Sequence, residues 1–449
     1  MSGTAGPGAR AEERAARGRE SVDAVLDPDR RSLVQRRTVL VLSAGTVLSG
    51  FGTGASLSVG ALVLAELSGN EAISGLSSAL FNAGAAVAGI PLARIAARRG
   101  RRAALVTGSG IAALGALIAI IAGAVHAWPL FAAGVALVGV SSAVSLLARF
   151  AATDLALPND RARDLSFVVW SITIGAVIGP NLITPGEAVG RALGILPLAG
   201  VFLFALAAQV LAALVNWFGL RPDPLLAARL LPPETASTPV ITASSSGESA
   251  EAGDAVAAGT DRGAATGAGS PRARWLVIVG IAMAQAIMVA LMAMTPLHIM
   301  HHEGTAALVG ITISMHIAGM YALSPVFGTL ASRFGRPRVL WLGWALLACA
   351  VVLSYIAGPS QILVQIALTT LGLGWSAVTV AGAALLTELT PSTVRPKWQG
   401  RSDTIMSASG AVAGVLAGVV FALGDFAFLA LVSAVFLVLG ALATLWGRR

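Results

Sequence analysis

Residues 93–102 read ARIAARRGRR, and residues 328–337 read GTLASRFGRP. Each is a basic turn built around one glycine, Gly100 and Gly335, 235 positions apart. Apolar runs of about 20 residues flank both, the length that crosses a bilayer as a helix. The spacing returns elsewhere. Thr153-Asp154-Leu155 recurs as Thr387-Glu388-Leu389, Arg161 as Arg395, and Gly175-Ala-Val-Ile-Gly179 as Gly410-Ala-Val-Ala-Gly414, all offset by 234 or 235. Four coincidences at one spacing make the chain a tandem repeat. Repeats of this parallel kind place a substrate site where the halves meet, near the membrane midplane.

The composition agrees. Of 449 residues 56% are hydrophobic and 12% charged, with a mean hydropathy of +0.81. A soluble domain carries roughly twice that share of charge. The chain reads as an all-α membrane protein of twelve transmembrane helices. They are expected near 38–64, 72–96, 103–124, 128–152, 165–185, 195–219, 275–297, 306–331, 338–357, 361–387, 403–423 and 427–446. Residues 1–37 form a polar tail, expected to be mostly disordered. Residues 38–219 make the first six-helix bundle and 275–447 the second, pseudo-symmetric one. The polar stretch 220–274 separates them. Its start, RPDPLLAARLLPP, suits an amphipathic helix on the membrane surface, and its remainder is the low-complexity composition of a flexible linker.

The formal charge is +8. Every one of the 30 basic residues except Arg149 and Arg191 falls in segments that one topology places in the cytoplasm. That is the positive-inside bias, so the charge orients the chain and advertises no nucleic acid. Both termini are expected in the cytoplasm. The near-absence of lysine, with Lys397 alone among the arginines, fits a GC-rich bacterial source and hence a bacterial inner membrane. Lys397 is followed by Trp398, so no phosphate-binding Gly-Lys-Ser/Thr loop exists. No nucleophile–base pair stands out, which argues against an enzyme, and no cofactor is expected. The lone Cys349 excludes an intramolecular disulfide. The expected partners are the bilayer and a small solute, for a chain that acts as a monomer.

Two six-span halves, a long central loop and Gly-x-x-x-Asp-Arg-x-Gly-Arg-type turns resemble the major facilitator superfamily. The copy Gly328-Thr-Leu-Ala-Ser-Arg333-Phe-Gly335-Arg336 matches except for Ser332 in place of Asp. The copy Ala93-Arg-Ile-Ala-Ala-Arg98-Arg-Gly100-Arg101-Arg102 loses the leading Gly and the Asp, where Ala97 stands. The resemblance covers residues 38–447. It implies alternating access, with Arg98, Gly100, Arg101, Gly328, Arg333, Gly335 and Arg336 as gating turns. Topology anchoring is the plainer role for the same arginines.

Seven of nine methionines and four of five histidines fall between Met283 and Met320. Met288 and Met292 share a face of one span, and His316 and Met320 share a face of the next. At 1.5 Å per residue, Met288 and His316 lie nearly level, roughly 12 and 15 Å below the outer surface. Thioether and neutral imidazole suit Cu(I), and His298, Met300, His301 and His302 would capture metal at the mouth. The repeat partners Thr53, Leu57, Phe81 and Ala85 carry no such groups. The arrangement is similar to the bacterial copper importers of the superfamily, which implies copper as substrate. Ordinary packing by a flexible side chain is the competing reading.

Gly175, Gly179 and Pro180 resemble the superfamily's antiporter signature, which implies export. Close helix packing and a proline kink also explain them, and because Gly410 and Gly414 repeat the glycines, packing is the favoured reading. Arg149 is expected to snorkel to the inner interface. The sequence therefore predicts a secondary transporter of a small solute, with copper import foremost. Proton-coupled efflux of a hydrophobic organic compound and a non-transporting sensor or scaffold are the alternatives.

Overall fold

The computed structural model describes residues 28–157, 160–229, 270–391 and 394–446. The disorder expected of the tail and of the low-complexity linker falls on 1–27 and 230–269, outside the described residues.

Among the described residues every regular element is helical. Eleven helices are long and apolar enough to cross a membrane. In chain order they are α1 (Arg30–Ser68), α2 (Glu71–Arg99), α3 (Arg101–Val125), α4 (Trp128–Ala151), α5 (Arg163–Ala192) and α6 (Pro197–Ala228), then α7 (Pro271–His301), α8 (Ala306–Phe334), α9 (Arg336–Ile356), α10 (Gln361–Glu388) and α11 (Trp398–Trp446). The last is two spans in one. Its backbone leaves helical geometry at Gly424 and Asp425, where the Asp425 carboxylate accepts the amides of Ala427 and Phe428 and restarts the helix. Twelve crossings result, six from each half.

Local signals set the ends. Ser270, Thr305 and Ser360 cap α7, α8 and α10 through side-chain oxygens that accept backbone amides. Gly100 and Gly335 end α2 and α8 at φ +90° and +88°. That left-handed backbone favours glycine over any residue with a Cβ, and its appearance in both halves explains why both turns keep the residue.

Three boundaries differ from the sequence reading. α1 begins eight residues early because its polar first turns have partners. The Arg31 guanidinium donates to the Leu155 carbonyl, and the Gln35 amide donates to Ala152 O and Asp164. The stretch PGEAVGRAL is helix and not an external loop. α5 tightens to a 3₁₀ turn at Gly179–Leu182, then resumes as Ile183–Ala192. Past Gly219 α6 breaks, and its tail forms only the short helix Pro224–Ala228. It docks on the protein, with Ala227 buried against Leu155, and does not lie free on a membrane surface.

The two halves join at one end of the bundle, the end opposite the basic turns. There α2 crosses α11 so closely that a Cβ on Gly75 would strike the Gly414 carbonyl, and one on Gly418 would meet Ala72 O at 2.4 Å. α5 meets α8 in the same way, with Gly310 against the Pro180 carbonyl. The Ser314 hydroxyl donates to Val177 O, and the Asn181 amide donates to Ser314. At the basic end the helices part. Gly89 on α2, Gly328 on α8 and Gly400 on α11 have nothing within 4 Å of where a Cβ would sit. Val87 and Ile90 are 75% and 64% exposed. The bundle is a cleft, closed at one end and open at the other.

Candidate functional site

The basic turns come first, because they brace the cleft's open end. Arg101 grips Asp154 through Nε and Nη2 at 2.8 and 3.1 Å. Its repeat partner Arg336 pairs with Glu388, the repeat partner of Asp154, at 2.6 Å. The same ion pair therefore stands in both halves. Burial pushes the Asp154 carboxyl up, and the Arg101 guanidinium opposes that push. A further carboxylate arrives from the tail of α6. Asp223 accepts the Arg102 amide at 2.8 Å, caps the first turn of α3 and lies directly over Gly100. The acid missing at Ala97 is thus replaced, at the other end of the turn, by residues distant in sequence. Arg98 and Arg333 are exposed, with no ion pair at either among the described residues.

The sulfur and imidazole groups take up varied positions. Met288, Met292 and Met320 are buried in one apolar cluster. Sequence order suggests that α7 and α8 lie face to face, but α7 packs chiefly on α11 and α10, and α8 on α10. His316 is fully buried and directed at α10, where Nδ1–H donates to the Leu368 carbonyl at 2.7 Å. Its Nε2 has no partner. His298 is buried, donates from Nε2 to the Gly358 carbonyl at 2.9 Å and stacks on Phe426. His302 donates from Nδ1 to His298 O. His301 pairs with Glu71 of the first half at 2.8 Å, and Met300 is exposed. Three of the four mouth residues thus have partners, of which the His301–Glu71 pair spans the two halves. Among the described residues no group of three or more His, Cys, Asp or Glu side chains stands ready for a metal ion.

Gly175 and Gly179 pack α5 on α1, at Val47 and Gly50 and at Gly54. Pro180 sits in the 3₁₀ turn that bends α5. Gly414 serves the other way, holding α11 against α2 across the halves. Gly410 marks the centre. A Cβ there would lie 3.1 Å from Gln285 Nε2 and 3.4 Å from Asn82 Oδ1.

From that glycine a polar chain leads along the cleft. Gln285 Oε1 accepts the Trp375 indole N–H at 2.7 Å. Trp375 meets Tyr321 edge to face, ring centres 6.0 Å apart. Tyr321 and Asp403 both act electrostatically on Arg149. Arg149 belongs to the first half and the other two to the second, so groups from both halves lie within electrostatic reach of one another. Arg149, expected at the inner interface, stands in the last turn of α4, with groups of the second half acting on it. Of this set the sequence singled out Arg149 alone. Asn82, Gln285, Tyr321, Trp375 and Asp403 were missed, although at an offset of 235 Asp403 faces Val168 and Tyr321 faces Ala86. A polar residue whose repeat partner is apolar was the available signal.

Known proteins share this architecture. The sequence signature described as Major Facilitator Superfamily matches residues 42–304 and 275–449. The chain is similar to the uncharacterized MFS-type transporter YdeG of Bacillus subtilis (strain 168), at 34% identity over 94% of this chain and 95% of that one. It is 28% identical to the riboflavin transporter RfnT of Brucella anthropi, over 85% of this chain and 88% of the relative. Among solved structures, the nucleoside transporter NupG superposes with a TM-score of 0.67 at 14% identity, covering 92% and 99% of the two chains. A bacterial homologue of the human lysosomal transporter Spinster, in an inward-facing and unoccupied conformation, gives 0.66 at 19% identity, covering 92% and 97%. At these identities the structural likeness concerns the fold.

Proposed function

The chain belongs to the Major Facilitator Superfamily and is a multi-pass secondary transporter of a small solute, and from that premise we propose that the solute is organic, planar and rich in hydrogen-bonding groups. The observation that carries this is the Asn82–Gln285–Trp375–Tyr321 set, where two amides and two aromatic faces meet at the seam of the halves. Aromatic walls with a few placed polar groups are what bind a flat heterocycle. The relative named a riboflavin transporter handles a solute of that description. The positive-inside bias puts the basic turns, and so the open end of the cleft, on the cytoplasmic side of a bacterial inner membrane. In that orientation the conformation is inward-open.

Riboflavin is the first probe. Proteoliposomes preloaded with unlabelled riboflavin are expected to accumulate the radiolabelled vitamin by counterflow. Gln285→Leu is expected to lower the rate about tenfold, the effect of roughly 1.4 kcal/mol. No counterflow with riboflavin, nor with a panel of purines and pterins, would overturn the reading.

A second reading keeps a copper ion as the imported substrate, on one observation. His316 Nε2 is buried and unpartnered while Nδ1 is anchored to a backbone carbonyl, which is how metal-binding imidazoles are held. Met320 lies one turn further along. On this reading His316→Phe abolishes uptake of radiolabelled copper, and Met288→Leu with Met292→Leu impairs it. That methionine swap costs under ~1.5 kcal/mol in packing, so lost uptake would not reflect unfolding. Wild-type copper accumulation in both variants, or none above background in the parent, removes the metal.

A further inference from the structure

Arg149 stands apart from the other cations of the bundle. It lies within α4, enclosed by protein on nearly every side but not fully shielded from solvent. Its neighbours in kind are bonded. Arg101 and Arg336 hold carboxylates, and Arg31, Arg229 and Arg274 donate to carbonyl oxygens. Among the described residues Arg149 has no hydrogen bond or ion pair, although a guanidinium offers five donors. Its nitrogens are also not among the sealed, unpartnered atoms of the core. They therefore keep some exposure.

Arg149 stands in the last turn of α4, at the basic end, where a cation partly withdrawn from water favours an anion partner. The acid acting on Arg149 is Asp403, from the opposite half, exposed and beyond ion-pair distance. Tyr321, also acting on Arg149, carries a phenolic O–H that can donate to the same anion. The repeat gives neither charge a double: Arg149 corresponds to Ala384 and Asp403 to Val168. The scaffold repeats and these charges do not.

We propose that Arg149 is the anion-binding residue of the cleft, gripping a carboxylate or phosphate on the solute, with Tyr321 as second donor and Asp403 as the resident competitor. The planar guanidinium matches both oxyanions through two parallel hydrogen bonds. A solute that carries an acid then lays its ring at Trp375 and its acid at Arg149, while a neutral one uses the aromatic and amide groups alone. The proposal rests on the organic-solute reading above and narrows it.

The test uses matched probes on the purified full-length protein in lipid nanodiscs: 2-naphthoate, 2-naphthyl phosphate and the neutral 2-naphthamide, by equilibrium dialysis. One or both anions are expected to bind at least about tenfold tighter than the amide. The stronger of the two names the oxyanion. Arg149→Gln should erase that preference, Arg149→Lys should keep part of it, and Asp403→Asn should tighten the anion by removing its competitor. Should the glutamine variant fail to run as a single species on size exclusion, the comparison is read on Arg149→Lys, where the preference must fall. The proposal is overturned if the wild type binds amide and anions alike, binds none of the three, or if the preference survives in the variant read. Riboflavin counterflow by the wild type is measured separately. An intact flux with no anion preference removes only the role of Arg149.

Discussion

Trp375 shows how much one hydrogen bond fixes at the seam. Its indole N–H is spent on Gln285, itself against Gly410 and near Asn82. Trp375→Phe keeps most of the ring but leaves a buried amide oxygen unpaired, at a cost of about 1–3 kcal/mol. Adding Gln285→Leu removes the orphan as well, so the double variant should be more stable than Trp375→Phe alone. Denaturation midpoints of the three proteins check this, and a purely additive double variant would deny the coupling. The Glu71–His301 pair is a different case. Both side chains are 45% exposed, so Glu71→Gln should change stability by ~1 kcal/mol or less. At this scale the sequence was least informative. It flagged His298, His301 and His302 as metal-capturing because histidines cluster there, but gave no sign that Glu71 meets His301 or that Gly358 and Phe426 meet His298, all far away in the chain.

The elements were legible because a span writes itself as a run of apolar residues, and because the repeat supplied a second copy to check against. What the repeat could not announce was its use. Thr153-Asp154-Leu155 and Thr387-Glu388-Leu389 were visible as an echo, but only the fold brings the acids to Arg101 and Arg336. The two braces differ in burial. The Arg101 and Asp154 side chains are 15% and 11% exposed, those of Arg336 and Glu388 34% and 46%. Breaking the first should therefore approach the ~3 kcal/mol of a buried pair, and breaking the second should cost ~1 kcal/mol or less. Asp154→Asn is expected to lower the unfolding midpoint clearly more than Glu388→Gln. The swap Arg101→Asp with Asp154→Arg should recover part of the loss. Equal losses in the two halves would mean that burial does not set their strength. Boundaries were missed for one reason: polar residues were read as loop. Arg31, Gln35, Glu187 and Arg191 are polar and helical, the first two through bonds to neighbouring segments and the last two through an i,i+4 pair at 3.6 Å.

On the alternating-access reading the whole molecule has a second position, and the register of this one says which surfaces it would bring together. Along the crossing of α2 and α11, Gly75 packs against Gly418 and Ala79 against Gly414, and Asn82 nears Gly410. One helix ascends as the other descends. Continued toward the basic end, the same register sets Gly89 opposite Thr404, yet nothing lies within 4 Å of a Cβ on Gly89, and Thr404 is exposed. The surfaces that match are apart because the cleft is open. Alternating access predicts that they close when the opposite end parts. Ser74 and Met294 report on that end, where the hydroxyl donates to the thioether across the halves at 3.5 Å. In a Cys349→Ser background, Ser74→Cys with Met294→Cys should be bridged by a short bis-methanethiosulfonate reagent. Transport should stop once bridged and return on reduction. Gly89→Cys with Thr404→Cys should resist the same reagent in the resting protein and react during turnover, when the inner halves meet. Its bridging should arrest transport in turn. A protein in which both pairs are bridged at once and still moves solute would not be working as two bundles rocking about a shared site. A protein in which the second pair never reacts would be confined to the conformation described, as a sensor or scaffold would be.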